Sequence, residues 1–218
     1  MTQPTALDQP INLPVLLDHA NLGSETAALL KPEMTTGAAC RLLIEQDQLA
    51  DAVRVLAHGL PKRAAVWWGC LAVWHIHRPD LPPAMQAPLQ AAVCWVQDPS
   101  DANRQCCGEP GRLAKFDTSA DCLAWAAFWS DGSMSLPELP IVAPPEHLTG
   151  RVAAGAVLLA AVEREPMEYR KHYHEFLALG LQILDGELTW LSGRKPSQQP
   201  ASMPVPDPAA GVERAVEV

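Results

Sequence analysis

Apolar residues along this chain recur mostly at three- and four-residue intervals, the period of helices that bury one face. From Thr35 onward Leu42, Leu43, Leu49, Val53 and Leu56 keep that spacing, with Gln46 among them, and the pattern predicts two helices broken near Asp47. Gly59 is placed to cap the second, and Pro61 stands where a first helical turn accepts proline. The next predicted helix, Lys62 to His77, differs in kind, because Ala64 to Trp74 carries no charge on any face. A helix apolar all round is either central or half-exposed at an interface. Arg78-Pro79 and Pro82-Pro83 end it, and a helix from Ala84 to Val96 follows, with Pro88 acceptable only near its start. Asp98-Pro99 then predicts a short helix through Cys106 and Cys107, broken by Gly108-Glu-Pro-Gly111. Ser119 opens a helix containing Leu123, Trp125, Phe128 and Trp129, which Asp131-Gly132 stops.

Residues 133–145 hold Pro137, Pro140, Pro144 and Pro145, too many for a helix. They read as an extended surface crossover anchored by Leu136, Leu139 and Ile141. Two helices are expected next, at 146–164 and 166–185, the second with a stripe of Tyr173, Phe176, Leu177, Gly180, Leu181 and Leu184. At the other end Pro10, Pro14 and Pro32 interrupt a mixed segment whose Ile11, Leu13, Val15, Leu16 and Leu17 are apolar enough to dock, and Gly23-Ser24-Glu25 can start a short helix there. The predicted organisation is a partly ordered N-terminal arm (1–33), one helical domain (34–192) and a disordered Pro/Ser/Ala tail (193–218). The fold class is all-α, an irregular multi-helix bundle. Helix starts roughly every 20 residues also admit solenoid-like (HEAT- or TPR-like) stacking, but Ala64–Trp68 against Ala91–Trp95 is nearly all that repeats.

Composition narrows the function classes. With 16 basic and 25 acidic residues the chain carries a formal charge of −9, which disfavours nucleic acid or an anionic membrane as partner. The apolar run Val152 to Val162 is far shorter than the roughly 20 residues a membrane span needs, and Met1 to Pro10 has no export-signal pattern. A cytoplasmic protein is expected, its six cysteines reduced and mostly core.

The chemistry-bearing residues make no familiar constellation. His75/His77 and His172/His174 stand two apart and so point to different helix faces. Metal-binding helices use i, i+4 spacing, and no metal or other cofactor is expected. Glu168 and His172 are four apart, a spacing that usually marks an exposed ion pair. Cys106-Cys107 would need exposure and a lowered pKa to react. The tryptophans carry more information: Trp67, Trp68 and Trp74 share one helix, and Trp125 and Trp129 another. They form an aromatic framework that either fills a core of small residues or lines a groove for a partner.

Four stretches carry a family resemblance: LAHGLPKRAAVWWGCLAVWH (56–75), WVQDPSDANR (95–104), LAWAAFWSDGSMSLPELPIVAPPEHL (123–148) and RVAAGAVLLAAV (151–162). In these the chain resembles an uncharacterised bacterial all-helical domain family often encoded near type VI secretion genes. It departs at Asp131, where glycine is expected, and at Cys106–Gly111, where an Ala-rich helix usually continues. The resemblance brings no catalytic residues and implies an accessory role in effector loading or delivery. The expected function is therefore a non-enzymatic adaptor or chaperone binding a secretion component or effector. The alternatives are an immunity protein masking a co-encoded toxin, and an enzyme or small-ligand binder assembled from His75, Cys107, His147, Glu168 and His172.

Overall fold

A computed structural model describes residues 7–113, 116–135 and 140–188, with backbone alone for 109–113. The predicted anchors Leu136 and Leu139, Trp190 and the 193–218 tail lie outside the described residues. The protein is all-α: α1 Leu13–Ala20, α2 Ser24–Leu29, α3 Thr36–Glu45, α4 Leu49–Gly59, α5 Lys62–His77, α6 Pro83–Gln97, α7 Asp101–Leu113, α8 Ser119–Phe128, α9 Leu148–Glu163 and α10 Tyr169–Leu184. A 3₁₀ turn, Pro166–Glu168, leads into α10. Among the described residues the nearest thing to β structure is an isolated antiparallel bridge between Pro10 and Thr35. No helix of the described residues is long and apolar enough to cross a membrane.

Helix α5 is the centre, in contact with α6, α8, α9 and α10. Its charge-free stretch is buried almost throughout, from Ala64 to Val73, with Trp67 half-buried. Trp68 is completely enclosed, and its indole N–H donates to the Phe176 carbonyl of α10 at 2.7 Å. Helix α9 presents Ala153, Ala154, Ala156, Val157, Ala160 and Ala161 to the interior, so it approaches α5 and α8 closely. An array of stacked repeats confines contacts to neighbours along the chain. Here α10 returns onto α3, α4 and α5.

Helix ends follow local rules with three departures from expectation. Asp47, at φ +59°, breaks α3 from α4 as predicted. Gly59, however, is the last residue of α4 and takes no left-handed cap; it is small because the Thr36 side chain occupies the place of a Cβ, 2.2 Å away. Helix α7 does not stop at Gly108 but runs to Leu113. Its start is also later than predicted, because the Ser100 hydroxyl accepts from the Asn103 N–H at 3.4 Å. Helix α8 opens at Ser119 as predicted, with Thr118 as its N-cap in a reciprocal capping box with Asp121. The two described flanks of the Pro-rich segment meet instead of standing apart as in an extended crossover: the Met134 N–H donates to the Val142 carbonyl at 2.9 Å, and Ile141 is 83% exposed.

Four arginines hold the bundle's helix ends. Arg63 donates to the Val96 and Gln97 carbonyls of α6, Arg104 to Phe128 of α8, Arg164 to Ile76 of α5 and Arg151 to His19 of α1. Each supplies donors to carbonyls that a helix C-terminus leaves without intrahelical partners.

The tight seat of α10 on α5 generates a paired prediction. A Cβ on Gly180 would lie 2.8 Å from the Trp68 ring and 2.5 Å from Leu56, whereas one on Gly155 meets nothing within 4 Å. Gly180→Ala is expected to cost about 1–3 kcal/mol from overpacking. Gly155→Ala, on the exposed face of α9, is expected to be neutral or to stabilise by up to about 1 kcal/mol. Urea denaturation of the two variants reads both.

Candidate functional site

The five framework tryptophans do not line one groove. Trp68 is core. Trp67 and Trp74 are half-buried, and Arg63, one turn before Trp67, binds the end of α6, which sets Trp67 on the α6 side of α5. Trp125 and Trp129 form a separate group with a residue that the sequence pattern did not mark, Phe116. The Phe116 ring stacks on Trp125 with centroids 5.5 Å apart and planes at 19°, and Trp125 meets Trp129 at 4.7 Å. Phe116 sits at φ +59° and is 43% exposed. The result is a half-exposed three-ring stack on the surface beside the C-terminal half of α8. Trp125 meets Phe128 edge-on beneath it, and Arg104 lies over the Phe128 ring. The indole N–H groups of Trp67 and Trp125 are buried without partners among the described residues.

The dispersed set His75, Cys107, His147, Glu168 and His172 is not gathered into a cavity. His75 and His172 pack against Phe176, but His75 pairs outward with Glu175 at 3.0 Å and His172 Nδ1 donates to the Ala161 carbonyl at 2.8 Å. Glu168 is exposed at the end of the 3₁₀ turn. Cys107 is buried, which together with the neighbouring Cys106 and Cys94 pushes its thiol up to about 12. Burial likewise pushes the Cys70 thiol up, and raises Cys122 to about 11. These are packing thiols, with little thiolate at neutral pH. Among the described residues no group of three or more His, Cys, Asp or Glu side chains is placed to hold a metal ion.

His77 enters a buried cluster that spacing could not announce. Glu163 at the end of α9 accepts from the Ser119 N–H at 2.7 Å, the Ser119 hydroxyl at 2.6 Å and the His77 ring at 2.9 Å. The three residue types suggest a hydrolytic triad, but the order is wrong for one. The hydroxyl faces the carboxylate rather than the imidazole, so the serine–histidine–acid relay of such a triad is not formed. Ser119 is also fully buried. The carboxylate instead caps the N-terminus of α8 and ties it to the last turn of α5.

A cleft of about 410 Å³ lies between the arm and the bundle. Its lining includes Ile11, Leu16, Val55 and Leu60, together with His19 of α1, His58 of α4 and His147 just before α9. The His19 and His147 rings stack with centroids 4.0 Å apart. His58 is pushed down to about 4, first by burial and then by Arg151, His147 and His19. His147 is lowered by burial, His19 and Arg151, with Asp18 acting against them. Three histidines more than 30 positions apart in sequence give no local signal, and of these the pattern reading singled out His147 alone.

The Glu163 cluster yields a direct expectation. Glu163→Ala strands the Ser119 and His77 donors in the interior and is expected to cost about 2–4 kcal/mol, with Glu163→Gln restoring part of the loss. Equilibrium denaturation of both variants measures it.

No curated protein and no solved structure matches the chain. A family model does match, over residues 39–184, from within α3 to the last residue of α10. The matched span contains α5, the Trp125–Trp129 pair and the Glu163 cluster, and leaves out the arm. The chain belongs to this family of unknown function (DUF6931).

Proposed function

We propose that this protein is a non-enzymatic, cytoplasmic, protein-binding accessory, an adaptor or chaperone for a type VI secretion component or effector. The observation that carries the binding role is the half-exposed stack of Phe116, Trp125 and Trp129. Large aromatic rings are enriched among residues that dominate binding energy at interfaces, and a soluble surface gains nothing by leaving three of them together. The buried histidines and thiols support the non-enzymatic part, since their polar atoms serve packing and helix ends. The secretion link rests on the resemblance to proteins encoded beside type VI secretion genes.

Site-specific photo-crosslinking in the native host tests this reading. With p-benzoylphenylalanine at position 116 one secretion component or effector is expected to be captured at least about tenfold above the same probe at exposed Lys171 on α10. Trp129→Ala is expected to abolish that excess. Equal capture at both positions would overturn the aromatic-surface reading, and capture of a co-encoded toxin that the protein neutralises would replace adaptor with immunity function.

A further inference from the structure

The N-terminal arm lies outside the span matched by the family, and its first helix is held to the bundle by few groups. Of α1, Leu16 and Ala20 are buried, and α4 lies beneath it. Leu13 packs partly against the core, and further attachments are polar. Arg151 donates twice to the His19 carbonyl, at 3.0 and 2.7 Å, and the His19 ring lies nearly parallel to that of His147. His58 faces the same cleft from α4.

We propose that the arm is an acid-released latch, in which protonation of His58 and His147, beside His19 and Arg151, lifts α1 from α4 and opens the cleft beneath. Imidazolium charge at His58, or at His147 whose ring lies 4.0 Å from that of His19, is repelled by the Arg151 guanidinium that holds the His19 carbonyl. The opposing charges are weaker. Asp18 lies 3.3 Å from His19 and Glu146 pairs with Lys62, but their side chains are 81% and 91% exposed, where water screens them. Lys62 lines the cleft from α5 and donates to the Ser130 carbonyl, which adds to its positive side. Release uncovers Val55 and Leu60 on the cleft floor.

The sign follows from linkage. His58 and His147 are lowered in the docked state, so that state binds fewer protons than the released one. Docking is at full strength above the ordinary histidine value of about 6.5 and weakens as pH falls through it. For His58 the weakening continues until about 4, where the docked state also protonates. Freed of the arm, such a group shifts the equilibrium by about tenfold at pH 5.5. This latch is independent of what the aromatic stack binds.

Hydrogen exchange followed by mass spectrometry on the full chain, corrected for intrinsic rates, tests the latch at pH 7.5 and 5.5. Protection of residues 13–20 is expected to fall about tenfold while α10 keeps its protection. In the His58→Gln/His147→Phe double variant, which keeps an aromatic ring against His19, α1 is expected to stay protected at pH 5.5. His147→Phe alone, expected to lose part of the response, serves if the double variant does not fold. Unchanged protection in the wild type, an equal fall in the variant that folds, or loss of α10 protection together with α1 would each overturn the proposal.

Discussion

A helix with no charge between Ala64 and Trp74 has to be enclosed, and enclosing it sets the positions of its neighbours. Helix α5 can expose neither side without leaving apolar surface in water, so α6, α8, α9 and α10 close around it. Small residues make the approach close enough: the alanines of α9 face inward, and Gly180 of α10 lies against the Trp68 ring. Trp68 also brings a polar atom inside, and the Phe176 carbonyl satisfies it at 2.7 Å. That bond fixes the register of α10 on α5 as well as its distance, because few carbonyls on α10 can meet the indole.

Short helices around a common axis create many ends, and each end leaves backbone groups unpaired. In this acidic chain a quarter of the basic side chains, four arginines of 16, serve that need by donating to helix-terminal carbonyls. Glu163 performs the opposite task at the start of α8. The charged residues thus act largely as the bundle's joints, which explains why pairs with suggestive spacing turn out to be structural. The same economy leaves the Phe116–Trp125–Trp129 stack as a surface feature that helix ends do not explain.

Much of the fold was legible because the informative signals were local. Lys62 and His77 bound α5 as the charge pattern and Pro79 predict, and Asp47 separates α3 from α4. Helix α1 was missed although Asn12 caps it and Pro14 sits in its first turn, because its short apolar run has no full helical repeat. Gly108 to Gly111 misled: two glycines and a proline outweigh helix propensity in isolation, yet α7 continues through them, with Gly108 seated against the Phe128 ring of α8. The sites were harder. Trp125 and Trp129 could be named from spacing, but Phe116 joins them through a left-handed backbone turn. Ser119, Glu163 and His77 meet from three helices, and His19, His58 and His147 from three segments. Such meetings are products of tertiary packing, and no window of sequence contains them.

The whole bundle rests on α5, and native-state hydrogen exchange measures that most directly. Amides of α5 between Ala64 and Val73 should exchange only through global unfolding, with opening free energies equal to the total stability and the same denaturant dependence. Exchange of those amides through smaller openings, while α8 or α10 remained protected to the global limit, would contradict a central α5 and move the centre of the fold elsewhere.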